Sequence, residues 1–364
     1  MWVTKRINIK TILMFLVILG FSFLLFFFSN ELGQGVRQGL SLCGELVIPA
    51  LFVFLCFCEW ACLSHSIQNV ANVLQPLFRL LFGKEFSCGA PFLLCLIGGY
   101  PMGASALAIM RKNNLISNTC AKQHALWIFC PSPSFVIVGV GQGMLGSFRV
   151  GLILWGSCVI SCLLTGCVFS RFFIEKKTEP FLGVNANTDF FACFPTAIGS
   201  ATEKMLVICA TVVLFAGVLS VVSVLPLPAV FRSCLQLFTE VTNGCNVLVE
   251  KGGSLAEIGA ILMFGGIATH LQCQMLLGKE APPYNIYCFV RISQAVLCYG
   301  IISLFGVFLP NAVQTFSVGN VPTANGLSVL PSVWLLGTCC VFLCSIYQMP
   351  IYRRNYREKP RIYS

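Results

Sequence analysis

What most restricts the fold of this chain is a series of apolar runs long enough to cross a bilayer. They lie at residues 11–28, 42–63, 124–145, 150–170, 204–225, 285–308 and 330–348. About 20 consecutive apolar residues span the hydrocarbon core. Of the 364 residues, 57% are hydrophobic and 10% charged, against about 25% charged in a soluble domain. The chain therefore reads as an all-α polytopic membrane protein, one intramembrane body whose partner is the lipid bilayer.

The net charge of +10 does not point to nucleic acid. The basic residues gather at the ends of apolar segments: Lys5, Arg6 and Lys10; Arg171, Lys176 and Lys177; Arg353, Arg354, Arg357, Lys359 and Arg361. That is the pattern of flanks held on the cytoplasmic side. The run from Thr11 to Phe28 exceeds a signal-peptide core and lacks a small-residue cleavage site, so it predicts an uncleaved first helix. The 21 cysteines include no C-x-x-C, and most sit within apolar runs, where cysteine acts as a small hydrophobe. His65, His124 and His270 are far apart in sequence. No metal site is expected.

Three further apolar segments are irregular. Residues 68–85, with Asn69, Asn72, Gln75, Pro76 and Arg79, predict an interfacial amphipathic helix. Residues 86–110 contain LIGGYPMGASALAIM, and residues 255–278 contain FGGIATHLQCQMLL. In a helix interior Gly costs about 1 kcal/mol and Pro about 3 relative to Ala. In lipid, broken backbone survives only against protein or a wet cavity. The arms at 90–97 and 102–110 have eight and nine residues. At 1.5 Å per residue each reaches roughly 12–14 Å, less than half of a ~30 Å core. The spacing predicts re-entrant helical hairpins at 86–110 and at 255–278, their tips near Gly99 to Pro101 and Gly265 to Gly266. Charge supports the first, because a full crossing there would carry Arg171, Lys176 and Lys177 outside.

The order spanning helix, polar-tinged helix, glycine-broken hairpin, spanning helix fits 42–145 and again 204–308, which predicts a duplicated architecture. The expected organisation is an N-terminal membrane helix (1–40), a first repeat (41–170), a polar loop (171–203), a second repeat (204–310) and a C-terminal helix with a basic tail (311–364). If 231–250 lies at the interface, the repeats are inverted and the tail falls outside. If it spans, the tail is inside and the inversion is lost. An inverted pair with one further, unplaced crossing is the expected arrangement.

Four interruptions of apolar segments carry the candidate site: Gly98, Gly99, Tyr100, Pro101 and Gly103; Ser132 and Ser134 among the prolines of CPSPS; Glu240, Thr242 and Asn243; and Gly265, Gly266, Thr269, His270 and Gln272. Broken helices offer amides to anions at their N-termini and carbonyls to cations at their C-termini. Ser132, Ser134, Thr242, Asn243, Thr269 and Gln272 are expected to hydrogen-bond a ligand, and Tyr100 and His270 to stack on a flat one. The competing reading is packing, since small residues let membrane helices approach. Glu240 is a carboxylate within an apolar segment, a functional candidate by default. It is expected to carry a coupling proton, H+, or else to form a cation site for Na+ with Asn243, the competing reading being an interfacial placement beside Arg232; no other cofactor is expected. No D-D-x-x-D, H-E-x-x-H or G-x-S-x-G string occurs, so no enzyme is expected. A scaffold without transport leaves the interruptions unexplained.

The strings GGYPMGA at 98–104, EVTNG at 240–244 and FGGIATHLQ at 264–272, in this order and spacing, resemble the sporulation integral membrane protein YlbJ family, also described as a stage V sporulation protein. The resemblance covers roughly residues 40 to 310. It implies the nucleoside-recognition Gate domain, a fold like that of concentrative nucleoside transporters, and two re-entrant hairpins. It also implies a place in the cell membrane or outer forespore membrane and movement of dipicolinate, a flat aromatic dianion, towards the developing spore. A nucleoside-type carrier and a non-transporting spore scaffold are the alternatives. One departure is FCPSPSFV at 129–136, where the family tends to carry asparagine and a Gly-Pro turn.

Overall fold

The computed structural model describes residues 9–64, 72–82, 88–172 and 191–308. The expected span at 330–348, the tail at 353–361, Lys5, Arg6, Lys176, Lys177 and His65 lie outside the described residues. All regular structure among the described residues is helical.

Helix α1 (Ile9–Phe27) presents exposed apolar side chains such as Leu13, Phe15, Leu19 and Phe26, as a lipid-facing helix does. Helix α2 (Ser29–Leu42), a π-helical turn (Cys43–Val47) and α3 (Ile48–Leu63) run on without interruption. The helix widens just before Pro49, which has no N–H to give the preceding turn. Gly35 and Gly39 of α2 press on α10 (Phe194–Val224). A Cβ at Gly35 would stand 2.5 Å from the Ala216 carbonyl oxygen and 2.8 Å from the Gly217 Cα. This is the close approach that a small-x-x-x-small pair permits. Helix α4 (Gln75–Phe82), within the expected amphipathic segment, buries Phe78 and Phe82 and exposes Leu77 and Leu80.

Among the described residues, four segments are long and apolar enough to cross a membrane: Phe148–Phe169, Phe194–Val224, Leu255–Glu280 and Tyr284–Phe305. The protein is a multi-pass integral membrane protein. Between these segments lie shorter helices. α5 (Gly89–Gly98) and α6 (Tyr100–Lys112) fold back on each other, turning at Gly99 with φ +82°. α11 (Ala229–Thr239) and α12 (Val241–Glu250) do the same, turning at Glu240 in extended backbone.

Two expectations need correction here. Residues 255–278 are not a hairpin: α13 (Leu255–Phe264) packs on α15 (Tyr284–Phe308) and α9 (Phe148–Phe172), whereas α14 (Gly266–Leu277) packs on α6 and α10. Gly265 and Gly266, with φ of +88° and +74°, break the helix, but long-range packing sends its arms apart. The second folded-back pair lies at 229–250 instead. Residues 124–145 are not one helix either. α7 (Asn118–His124) ends before an irregular stretch from Ala125 to Ser132, and the chain resumes at Pro133 with the π-helical α8 (Ser134–Met144). Pro131 and Pro133 remove two backbone donors there.

One order of elements therefore occurs twice: folded-back pair, broken helix, long helix, at 89–172 and again at 229–308. The expected order at 204–308 placed a hairpin at 255–278, because a glycine pair spells a hairpin tip and a mid-helix break alike.

α8 returns along α9 through a backbone contact. A Cβ at Gly151 would lie 2.6 Å from the Ile137 Cα, while at Gly156 of the same helix nothing lies within 4 Å. Both Gly→Ala changes gain helix propensity, so their difference isolates the contact. Gly151→Ala is expected to lower the thermal midpoint in detergent, by the equivalent of about 1–3 kcal/mol, with Gly156→Ala at or above wild type. Equal midpoints would show that α8 does not pack there.

Candidate functional site

Each folded-back pair docks on the broken helix that follows it, and each contact runs through one glycine. At the first tip, a Cβ on Gly99 would meet the Ser132 amide nitrogen at 2.9 Å. At the second, a Cβ on Gly266 would meet the Val241 nitrogen at 3.1 Å, beside Glu240. The halves join where Tyr100 approaches Gly265, with its ring carbon Cζ 3.5 Å from a Cβ built there. The first tip and the Gly265–Gly266 break are thus neighbours, as expected, and α8 passes α12. The starts of α6, α8, α12 and α14 converge on one region.

Breaking helices in an apolar interior leaves carbonyls without donors. Arg291 of α15, fully buried, supplies them. Its Nη1 donates to the Phe129 carbonyl at 2.7 Å and to the Gln294 Oε1 at 2.7 Å. Its Nη2 donates to the Met263 carbonyl, and its Nε points at the Phe264 carbonyl at 3.5 Å. Gln294 donates to the Trp127 carbonyl at 2.7 Å, and the Tyr100 hydroxyl donates to the Leu262 carbonyl. One cation thereby ties the irregular stretch of the first half to the α13 terminus of the second. The negative end of the α13 dipole favours it there. The guanidinium also lies 4.9 Å from the centre of the Tyr100 ring, a cation–π distance. Among the described residues, Arg291 has no carboxylate partner.

The expected site residues divide into three groups. Gly98, Gly99, Pro101, Gly103, Gly265 and Gly266 are buried and set backbone approach. Tyr100 and His270, expected to stack on a ligand, are packed against protein instead. Tyr100 lies under Arg291, and His270 donates to the Phe264 carbonyl at 2.8 Å and edges against Phe264 and Tyr287. Gln272 turns away to donate to Thr211 of α10 at 2.8 Å, and Thr269 is buried. The third group is polar and reaches the rim. Ser134 and Asn243 are exposed, Thr242 and Glu240 half-buried, and Ser132 lies 3.2 Å from Ser134, Oγ to Oγ. Glu240 is not within a helix but caps α12, accepting from the amides of Thr242 at 3.0 Å and Asn243 at 2.9 Å.

Sequence reasoning missed Arg291 and Gln294, although a charge inside the 285–308 run is a signal in itself. Glu59 was visible as a carboxylate within an apolar run but was given no role. That carboxylate, 1% exposed, accepts from Lys204 of α10 and Ser105 of α6, with Lys204 Nζ 2.7 Å from the Ser105 oxygen. Cysteine is more than filler in places: the Cys130 amide donates to Cys95 Sγ at 3.2 Å, and the Cys162 thiol to the Trp127 carbonyl at 3.2 Å.

These elements define a class: an all-helical, multi-pass membrane protein whose helix breaks meet in its interior around one buried cation. Over 304 residues, 72% of this chain and 74% of the relative, the sequence is 23% identical to the sporulation integral membrane protein YlbJ of Bacillus subtilis (strain 168). That similarity supports at family level the resemblance carried by GGYPMGA, EVTNG and FGGIATHLQ. No protein-family model and no solved structure matches the chain.

A lysine keeps the charge of Arg291 but not its fork. Arg291→Lys and Arg291→Met are expected to destabilise the protein alike, by the equivalent of at least about 3 kcal/mol. A thermal midpoint for Arg291→Lys equal to wild type would rule out the bridging role.

Proposed function

We propose that this protein is a membrane carrier for a small anionic aromatic solute, bound where its helix breaks meet. Dipicolinate is the solute to which the family resemblance points. Spore formation is the setting, at the cell membrane or the outer forespore membrane. The observation that carries this reading is the convergence of four helix N-termini, those of α6, α8, α12 and α14, beside Arg291. Helix starts present partial positive charge; at α12 the Glu240 carboxylate takes the Thr242 and Asn243 amides and offsets part of it, while Arg291 adds a full charge. Ser134, Thr242 and Asn243 supply polar atoms at the rim. A neutral nucleoside gains less from such a field than a dianion does.

In this reading the folded-back pairs are re-entrant hairpins and the two halves are inverted Gate-type repeats. Arg111, at the foot of the first pair, lies 3.9 Å from Glu280 beyond α14. The crossing at 255–280 thus ends on the side from which the first hairpin enters, and the second hairpin enters from the other side. In this reading the crossing at 255–280 takes the part of the further crossing that the expected inverted pair left open.

The test is uptake by the purified protein in proteoliposomes. Saturable dipicolinate uptake that nucleosides do not compete is expected. Saturable nucleoside uptake alone would support the nucleoside-type carrier, and uptake of neither a scaffold. For coupling, Glu240→Gln keeps an acceptor for the α12 cap and removes the charge. It is expected to flatten the dependence of uptake on sodium or on pH between about 5.5 and 8, with Glu59→Gln as the comparison. A wild-type profile from Glu240→Gln would remove Glu240 from coupling, and a flattened one from Glu59→Gln alone would move that role to the Glu59–Lys204 pair.

A further inference from the structure

At the foot of the first folded-back pair, α5 and α7 bring three metal-binding side chains together: Cys88, Cys120 and His124. Their donor atoms all lie within 4.8 Å of one another. Cys88 and His124 are buried and Cys120 is half-buried. We propose that these residues bind a thiophilic divalent cation of the zinc class.

The two sulfurs are 3.7 Å apart. Two thiolates on a tetrahedral zinc, each about 2.3 Å from the ion, stand about 3.8 Å apart, whereas a disulfide holds its sulfurs at about 2.05 Å. Cys120 and His124 are four residues apart on α7, so they share one helical face. Ser117 fixes that helix start by accepting from the Cys120 amide at 3.1 Å. Cys88 occupies the N-cap position of α5 and comes from a different element. Metal binding releases the two thiol protons, and two thiolates balance the charge of a divalent ion, leaving a neutral site where an isolated charge would be costly. The pair Cys158 and Cys298 has nearly the same separation, 3.8 Å, but belongs to no such three-donor group among the described residues. Three protein ligands leave the fourth position to water or an exchangeable donor. The ion clamps the foot of α5 to α7 and so sets the spacing between the Gly99 tip and the break at Ser132. The inference stands apart from the carrier reading, and its readout is metal content rather than uptake.

The experiment uses the full chain, purified in detergent under reducing conditions without chelator. Zinc content is measured by mass spectrometry, and cobalt(II) binding by its thiolate-to-metal absorption. Wild type and Cys158→Ser are expected to hold about one equivalent of zinc more than the Cys88→Ser/Cys120→Ser double variant. The cobalt absorption is expected to vanish in the double variant, and His124→Ala to weaken binding at least about tenfold. Equal zinc and equal cobalt spectra in wild type and double variant would overturn the site, as would no binding by wild type. Should the double variant not be monodisperse, X-ray absorption on zinc-loaded wild type decides. Two sulfurs with one imidazole nitrogen support the site; any other sulfur count overturns it.

Discussion

The structure depends on how Arg291 answers the carbonyls that its broken helices leave open. An intact membrane helix satisfies its own backbone; this fold interrupts its helices in the interior and supplies the missing donors from α15. The guanidinium takes the Phe129 and Met263 carbonyls with two nitrogens of one planar group. Gln294, one helical turn on, takes the Trp127 carbonyl. Because these acceptors belong to different halves of the chain, satisfying the backbone also fixes how the halves meet. Tyr100 closes the arrangement by carrying the first tip onto the Leu262 carbonyl under the same cation.

Around this centre the protein uses small residues for approach and polar residues for the ends of helices. Gly99 and Gly266 allow main chain to meet main chain. Ser132 and Glu240 occupy helix starts, where their oxygens accept amides of α8 and α12. The Glu59, Lys204 and Ser105 cluster ties α3, α10 and α6 together away from Arg291. Breaking such a buried pair costs more than the pair itself contributes, which makes it a constraint on how α6 sits even if it moves no ion.

The membrane class and the positions of the helix breaks were legible in the sequence, because Gly, Pro and polar residues are costly inside apolar runs and mark the places where a helix stops. Which arms fold back was not legible. Gly98-Gly99 and Gly265-Gly266 look the same in one dimension, yet the first turns a hairpin and the second divides a crossing. The difference lies in partners far along the chain, α15 for α13 and α10 for α14. The turn at Glu240 escaped notice as a hairpin tip because an extended acidic residue that caps a helix resembles a polar position within one. Cys88 lies 32 residues from Cys120, so only the fold unites them, although the i,i+4 spacing of Cys120 and His124 was visible.

The central contacts consult the main chain of their acceptors and not the side chains. Trp127, Phe129, Leu262, Met263 and Phe264 each contribute a carbonyl to the hub, an atom that nearly every substitution preserves. Specificity is therefore stored unevenly. The donors Arg291, Gln294 and Tyr100 have few chemical substitutes, while the acceptors answer only to packing. The two sets are therefore constrained by different things: the donors by their chemistry, and the buried Trp127, Phe129, Leu262 and Met263 by the volume their side chains fill.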